Sequence, residues 1–343
     1  MTRPELQIQE NVPLAPLTTL GVGGSARYFC AAKSVEEVEQ AVGFARGRGL
    51  KLFVLGGGSN VVVADRGFDG LVLRVAILGI DESTVAVLNV GAGVSWDEFV
   101  AFCVARAYGG VECLSGIPGS VGGTPVQNVG AYGQEVSETI ASVLVYDLAE
   151  SLIRELPSQD CGFAYRSSIF NTSQRGRYII LRVRYELKLG AEPALRYADL
   201  QRYFAGRHRK PTLSDVRGAI LKIRASKGMV IDPNDTDSRS AGSFFKNPVL
   251  SAEEFARLSA KAAARGLKVP SYPALTQQSK VSAAWLVENS GFHKGYVKER
   301  AGISNKHALA LVNRGGVTAA EVVALRDEIQ SKVEQEWGVS LDS

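Results

Sequence analysis

Residues 115–133 read SGIPGSVGGTPVQNVGAYG, and how this stretch is read decides the fold. Six glycines (116, 119, 122, 123, 130 and 133) and two prolines (118 and 125) fall within 19 residues. No helix or central strand holds that density of Gly and Pro. Ile117, Val121, Val126, Val129 and Tyr132 are interleaved with them and call for burial, so the stretch is an ordered loop rather than a disordered one. Glycine lets backbone N–H groups approach a bound anion or ring system closely. The rival reading is a tight loop that only packs two strands together.

Working outward, a second glycine turn, Gly56-Gly57-Gly58-Ser59-Asn60, follows the strand-like run Lys51 to Leu55. It is not a Rossmann fingerprint. The third glycine would fall at Val61, and a β-branched run, Val61 to Ala64, stands where a helix should begin. The glycines therefore sit between two strands, and their N–H groups are available to a pyrophosphate. Ser34 with Glu37 reads as a capping box that opens a helix striped by Val35, Val38, Val42 and Ala45. A further strand spans Leu71 to Val75, and residues 1–75 form a small α/β unit.

A strand from Val85 to Val90 follows, then a second capping box, Ser95 with Glu98, and a helix through Phe99, Phe102 and Cys103. Beyond the long glycine loop come strands at Ile140 to Leu148, Ser151 to Leu156 and Tyr178 to Leu189. In the last, Ile179, Leu181, Val183, Tyr185 and Leu187 alternate with Arg182, Arg184, Glu186 and Lys188. Residues 76–224 are thus β-rich. Residues 196–230 carry Arg196, Arg202, Arg207, Arg209, Lys210, Arg217, Lys222, Arg224 and Lys227 against Asp199 and Asp215. Residues 225–337 read as α+β, with capping boxes at Ser251/Glu254 and Thr318/Glu321 and Gly338 just past the last helix. Residues 338–343 read as the start of a strand that rejoins the β-rich part at 76–224.

Composition bounds the chemistry. The chain of 343 residues is long enough for about two or three domains. A net charge of +4 favours small anionic ligands over nucleic acid, which calls for a concentrated basic face. Cys30, Cys103, Cys113 and Cys161 are dispersed, and His208, His293 and His307 lack ligand spacing, so no metal site is expected. There is no Gly-Lys dipeptide for a P-loop, no HExxH and no GxSxG. The first ten residues lack the apolar core of a leader, and no apolar run approaches membrane-spanning length, so a cytoplasmic location with no membrane partner is expected. Two anion-capable glycine turns in consecutive α/β units suggest one dinucleotide spanning them.

With these residues in view, the chain resembles the UDP-N-acetylenolpyruvoylglucosamine reductase (MurB) family. The resemblance rests on Thr18-Thr19-Leu20-Gly21, on both glycine turns, and on Gln127-Asn128-Val129-Gly130-Ala131-Tyr132-Gly133. It rests also on Phe163-Ala164-Tyr165-Arg166-Ser167-Ser168-Ile169-Phe170 and on Gly242-Ser243-Phe244-Phe245-Lys246-Asn247-Pro248. It implies an α+β fold in which 1–75 and 76–224 form FAD-binding domains of the vanillyl-alcohol-oxidase (PCMH) type, and 225–337 is a substrate domain. It implies hydride transfer from NADPH to FAD and on to the enolpyruvyl ether of a UDP-sugar, giving UDP-N-acetylmuramate, in a monomeric protein. Neither glycine turn contains His or Cys, so non-covalent FAD is expected.

The residues implied to hold the cofactor are Gly56, Gly57, Gly58, Ser59, Asn60, Ile117, Pro118, Gly119, Gly122, Gly123, Thr124, Asn128, Gly130 and Ala131. Those implied for the substrate are Tyr132, Tyr197 on a mobile tyrosine loop, Arg224, Lys227 and Asn247. Arg166 is the implied catalytic arginine, stabilising enolate character next to the substrate carboxylate. Ser243 is the implied proton donor; local chemistry alone would make it a turn or cap residue. The family's third catalytic residue is a Glu in a strand after the last helix. The sequence reaches Ser343 without one, and Glu334 and Glu336 lie in the helix, so none is assigned. The alternatives are another FAD-dependent oxidoreductase on the same scaffold, and a form that binds ligand without turnover for want of that Glu.

Overall fold

The computed structural model describes residues 6–206, 209–273 and 277–343. Arg207 and His208 lie outside the described residues, as do the first five residues of the chain. The chain divides into two compact units. One holds the residues up to Thr18, Gly24–Ser59 and Arg66–Val230; the other holds Thr19–Gly23, Asn60–Asp65 and Ile231–Ser343.

In the first unit a four-stranded sheet runs in the order Gln9–Pro13, Ser25–Ala32, Phe68–Val75, Lys51–Leu55. The last three strands are parallel, and helix α1 (Val35–Gly47) makes the crossover. Ser34 Oγ accepts the Glu37 N–H at 3.2 Å, while the Glu37 carboxylate takes the N–H of Lys33 at 2.6 Å. α1 buries Val38, Ala41, Val42 and Ala45, one face at helical spacing. A five-stranded antiparallel sheet follows in the order Leu152–Pro157, Ile140–Asp147, Tyr178–Glu186, Val87–Gly91, Ile80–Thr84. The alternation expected of Tyr178 to Leu189 is present, with Ile179, Leu181, Val183 and Tyr185 buried. Helix α2 (Trp96–Ala105) sets Trp96 and Phe99 against Tyr185, with ring centroids 4.7–6.1 Å apart. Each such ring removed from water contributes about 1.5–3 kcal/mol. Helices α3 (Ala198–Phe204) and α4 (Leu213–Ser226) bury Leu200, Phe204, Val216, Ala219 and Ile220 in a smaller cluster with Cys113.

In the second unit one sheet runs Ser240–Ser243, Ala310–Asn313, Ala301–Ile303, Val297–Lys298 and another Val249–Ser251, Gln278–Val281, Ser271–Pro273. Helices α5 (Ala252–Ala263), α6 (Ala283–Glu288) and α7 (Ala319–Trp337) accompany them. Both expected capping boxes are complete, at Ser251/Glu254 and Thr318/Glu321. Val322, Leu325, Ile329, Val333 and Trp337 form the buried stripe of α7, and Gly338 ends it in the left-handed region at φ 67°.

Three expectations fail for local reasons. Val61 to Ala64 forms no strand. The segment belongs to the second unit, where the Asp65 carboxylate accepts the N–H groups of Ala319 (2.7 Å) and Ala320 (2.9 Å) at the start of α7. Ser95 makes no side-chain cap on α2, because its backbone is bridged to Ser120 of the long glycine loop. Residues 338–343 form no strand either. Val339 and Leu341 are buried in the core of the second unit, the Leu341 carbonyl accepts from Gln330 Nε2 at 2.6 Å, and that of Asp342 from the Lys246 N–H at 2.8 Å.

Candidate functional site

The first unit brings the two glycine turns together. Residues 56–59 follow the strand Lys51–Leu55, and an added Cβ on Gly57 would stand 2.5 Å from Gly119 Cα, 2.7 Å from Gly119 C and 2.9 Å from Ser120 N. Only glycine permits that backbone-to-backbone approach. Ser59 Oγ ties the turns by donating to the Pro118 carbonyl at 2.9 Å. Among the described residues, none accepts from the N–H groups of Gly57, Gly58, Ser59 or Gly119. Ser120 Oγ, buried beside them, has no hydrogen-bond partner among the described residues. Free N–H donors and an unpaired hydroxyl around a close backbone contact fit the pyrophosphate of a dinucleotide. Asn60 belongs to the second unit.

Further along the loop, Ile117 packs against the core, Gly122 lies against Ala92, and the Cβ position of Gly123 is open. The Thr124 hydroxyl faces inward, donating to Val121 O at 2.8 Å and lying 3.1 Å from the hydroxyl of buried Tyr185. Asn128 works as a strut. Its Nδ2 donates to Glu135 (2.9 Å) and to the Ala164 carbonyl (3.1 Å), and its Oδ1 accepts the Ser137 N–H at 3.2 Å.

Arg166 is half-buried and is held by this strut. Its guanidinium donates to the carbonyls of Gly130 and Asn128. Arg166, Asn128 and Tyr132 all sit at positive φ (55°, 43° and 50°), a conformation that costs a non-glycine residue energy and that gathers at functional sites. No periodicity or propensity could have marked these three.

The candidate substrate residues of the first unit also gather. Tyr132 and Tyr197 meet edge to face at 5.4 Å, and Lys227 Nζ lies 5.7 Å from the Tyr132 ring. Arg224, 9% exposed, donates to the Met229 carbonyl at 2.6 Å, and its Nε has no partner among the described residues. Burial pushes its pKa down, with Tyr132 and Asp97 acting against that. Burial likewise raises the Tyr132 hydroxyl, opposed by Arg224 and Lys227. Lys227 pairs with Asp199 at 3.1 Å; burial works against its charge, and Asp199 together with Tyr132 and Tyr197 outweighs it, leaving the pKa raised. A buried cation with a spare N–H, beside a second cation and two phenol rings, suits a phosphorylated ligand.

Sequence reasoning missed the groups that hold this cluster. Asp97 takes a two-pronged ion pair from Arg217 (2.6 and 2.8 Å) and the Gly116 N–H at 2.6 Å, so the glycine loop is anchored to α2 and α4. Its burial opposes ionisation, yet Arg217 and that N–H hold its pKa below the ordinary range. The Asp199/Arg202 spacing at i,i+3 was the one legible sign of Asp199.

In the second unit Ser243 ends the strand Ser240–Ser243, after a register shift at which Gly242 takes φ 82°, and its side chain is exposed. Asn247 is half-buried, and its Oδ1 accepts the Ala283 N–H at 2.9 Å at the start of α6. Thr19 donates to the Ser240 carbonyl at 2.6 Å and Asn313 to that of Leu20 at 3.0 Å, so residues 19–23 are built into this unit.

A family model described as "FAD binding domain" matches residues 26–156, and one described as "UDP-N-acetylenolpyruvoylglucosamine reductase, C-terminal domain" matches residues 232–343. A protein of Thermobifida fusca named UDP-N-acetylenolpyruvoylglucosamine reductase is 49% identical over 340 residues, covering 96% of this chain and 95% of its own. One of the same name from Streptomyces coelicolor is 46% identical, covering 98% of this chain and 89% of its own. Among solved structures, the reductase of Thermus caldophilus matches with a TM-score of 0.68 at 25% identity, covering 98% of each chain.

Proposed function

The chain belongs to the UDP-N-acetylenolpyruvoylglucosamine reductase family, and from that premise we propose how its own residues carry the family's reaction. The protein is an FAD-dependent oxidoreductase that uses NADPH to reduce UDP-N-acetylglucosamine enolpyruvate to UDP-N-acetylmuramate, a step of peptidoglycan precursor synthesis. The observation that carries the residue reading is the pairing of Gly57 with Gly119. It leaves free N–H groups around a contact that nothing larger than glycine allows.

FAD would be held by residues 56–60 and by Ile117, Pro118, Gly119, Gly122, Gly123, Thr124, Asn128, Gly130 and Ala131. Thr124 and Asn128 would contribute backbone or shape, since their side chains are engaged within the protein. Bound there, FAD would supply hydride transfer, two electrons with one proton, from NADPH to one carbon of the enolpyruvyl double bond. Arg166, steadied by two carbonyls, would keep its remaining N–H groups for the substrate carboxylate and the negative charge that builds beside it. Ser243 would give its hydroxyl proton to the carbon next to that carboxylate and be reprotonated from solvent. Arg224 and Lys227 would take the diphosphate, Tyr132 and Tyr197 would cover the nucleotide-sugar, and Asn247 would line the substrate side while capping α6. NADPH and the sugar would use the site in turn. Residues 1–75 and 76–224 would serve as the two flavin subdomains and 225–337 as the substrate domain, in a cytoplasmic monomer.

An anaerobic experiment separates these claims. NADPH should bleach the flavin, and the enolpyruvyl UDP-sugar should restore its absorbance. Failure of the second step in the wild-type protein sinks the substrate assignment. Ser243→Ala should bleach normally and then fail to reoxidise; equal loss of both steps would place Ser243 in the fold or in cofactor binding instead.

A further inference from the structure

We infer that Glu112 is a positioning residue that sets the Tyr132–Tyr197 pair, and with it the affinity of the site for the nucleotide-sugar; the inference rests on the substrate reading given above. Glu112 is 1% exposed, on the turn Glu112–Leu114 just before the long glycine loop. Its carboxylate faces no cation among the hydrogen bonds of the described residues. It accepts from three N–H donors instead: Gly110 at 2.8 Å, the Gln134 side-chain amide at 2.8 Å and the Ala194 backbone at 3.0 Å. A carboxyl group buried this deeply must keep its hydrogen bonds, and a polar network this buried specifies one arrangement of the segments it joins.

The network closes on itself. Gln134 Oε1 accepts the Cys113 N–H at 2.7 Å, which fixes the amide so that its Nε2 must donate to Glu112. Cys113 Sγ reaches the Ala194 carbonyl at 3.3 Å. Every contact of the carboxyl group is then a donor, and satisfying all three takes an acceptor oxygen on each of its two arms.

Two short arms leave this network. Gln134 lies two residues beyond Tyr132, across the hairpin Gly130–Ala131/Gln134–Glu135. Ala194 lies three residues before Tyr197. The rings at the ends of the two arms are the pair that meets edge to face at 5.4 Å. Arg196, between Ala194 and Tyr197, is tied to the same hairpin through the Gly133 carbonyl at 3.3 Å and to Glu138 at 3.2 Å. The carboxylate thus fixes both arms at their bases, while both tips carry candidate substrate residues.

Glu112→Gln tests this on the flavin-loaded enzyme, with Glu112→Ala as the harsher variant. In the glutamine form an amide NH2 must face at least one of the three donors, leaving it unpaired. Loss of one such buried hydrogen bond corresponds to a rise in KM for the enolpyruvyl UDP-sugar of about ten-fold or more. Flavin bleaching at saturating NADPH should stay within about two-fold of wild type, and the change should fall on KM rather than kcat. Trypsin should cut Glu112→Gln faster within residues 191–212 and no faster elsewhere, with UDP-sugar slowing the cut less than in wild type. Wild-type KM and an unchanged cleavage pattern would overturn the inference. So would equal loss in both half-reactions with cleavage spread along the chain, the mark of a merely structural residue. If the wild-type protein itself fails to reduce the sugar, it is the substrate reading that fails; the trypsin comparison still decides whether Glu112 holds the loop.

Discussion

Gly57→Ala is the sharpest probe of the paired glycine turns. The added methyl would meet Gly119 Cα at 2.5 Å, Gly119 C at 2.7 Å and Ser120 N at 2.9 Å. Carbon atoms in ordinary contact stand about 3.5–4.0 Å apart, so the two turns must part by about 1 Å. All three neighbours are backbone, and no rotamer change relieves the contact. The separation would also strain the Ser59 bond to Pro118. Overpacking of this kind costs about 1–3 kcal/mol. Cofactor binding needs the turns closed, so the cost falls on FAD affinity, and Kd should weaken about 5- to 150-fold. The assay is titration of the flavin-free protein with FAD, followed by quenching of flavin fluorescence, with thermal unfolding recorded alongside. An FAD affinity within about two-fold of wild type, with the protein still folded, would refute the two-sided cradle.

Two further predictions concern stability in the first unit. Gly43 lies mid-helix in α1, and a Cβ there meets nothing within 4 Å. Gly43→Ala should therefore stabilise by about 0.5–1 kcal/mol, read as a higher urea midpoint at unchanged slope; destabilisation would show that the α1 surface is covered. Asp147 is fully buried between Arg177 and Arg154, with the Ala149 and Glu150 N–H groups on Oδ1. The hydrogen bond from Arg177 holds its carboxyl down to about 2 against the effect of burial. The unfolded chain titrates near 3.9, so this contribution is complete above about pH 5 and fades as pH falls toward about 2. Urea unfolding from pH 5 to pH 2 should lose part of this slope in Asp147→Asn; an identical slope would show that other carboxylates govern acid unfolding.

Much of the local structure was legible in residues close together in sequence. The alternation along Tyr178 to Leu189, the stripe of α1 and the complete boxes at Ser251/Glu254 and Thr318/Glu321 depend on neighbours within one turn or one pleat, so spacing alone reports them. Where a long-range partner intervened, the same rules failed. Ser95 has the spacing of a cap but bridges Ser120 instead, and Val61 to Ala64 has β-branched residues but no strand to pair with. The C-terminal residues are apolar enough for a strand, yet Val339 and Leu341 are buried as coil in the core of the second unit.

By itself, then, the sequence determined two glycine turns able to approach an anion, the alternating strand from Tyr178, the buried stripe of α1 with the two complete capping boxes, and six ordered motifs that identify the family. Only the tertiary structure decided that Gly57 stands against Gly119, 62 positions apart in sequence, and that Arg224 is buried with a spare donor. The structure alone also puts Glu112 under both tyrosine arms and sets Arg166, Asn128 and Tyr132 at positive φ. The reason is the range of the forces. Propensity, capping and periodicity act over a few residues, whereas burial and close approach depend on which distant faces meet, and that is chosen by the packing of the whole unit.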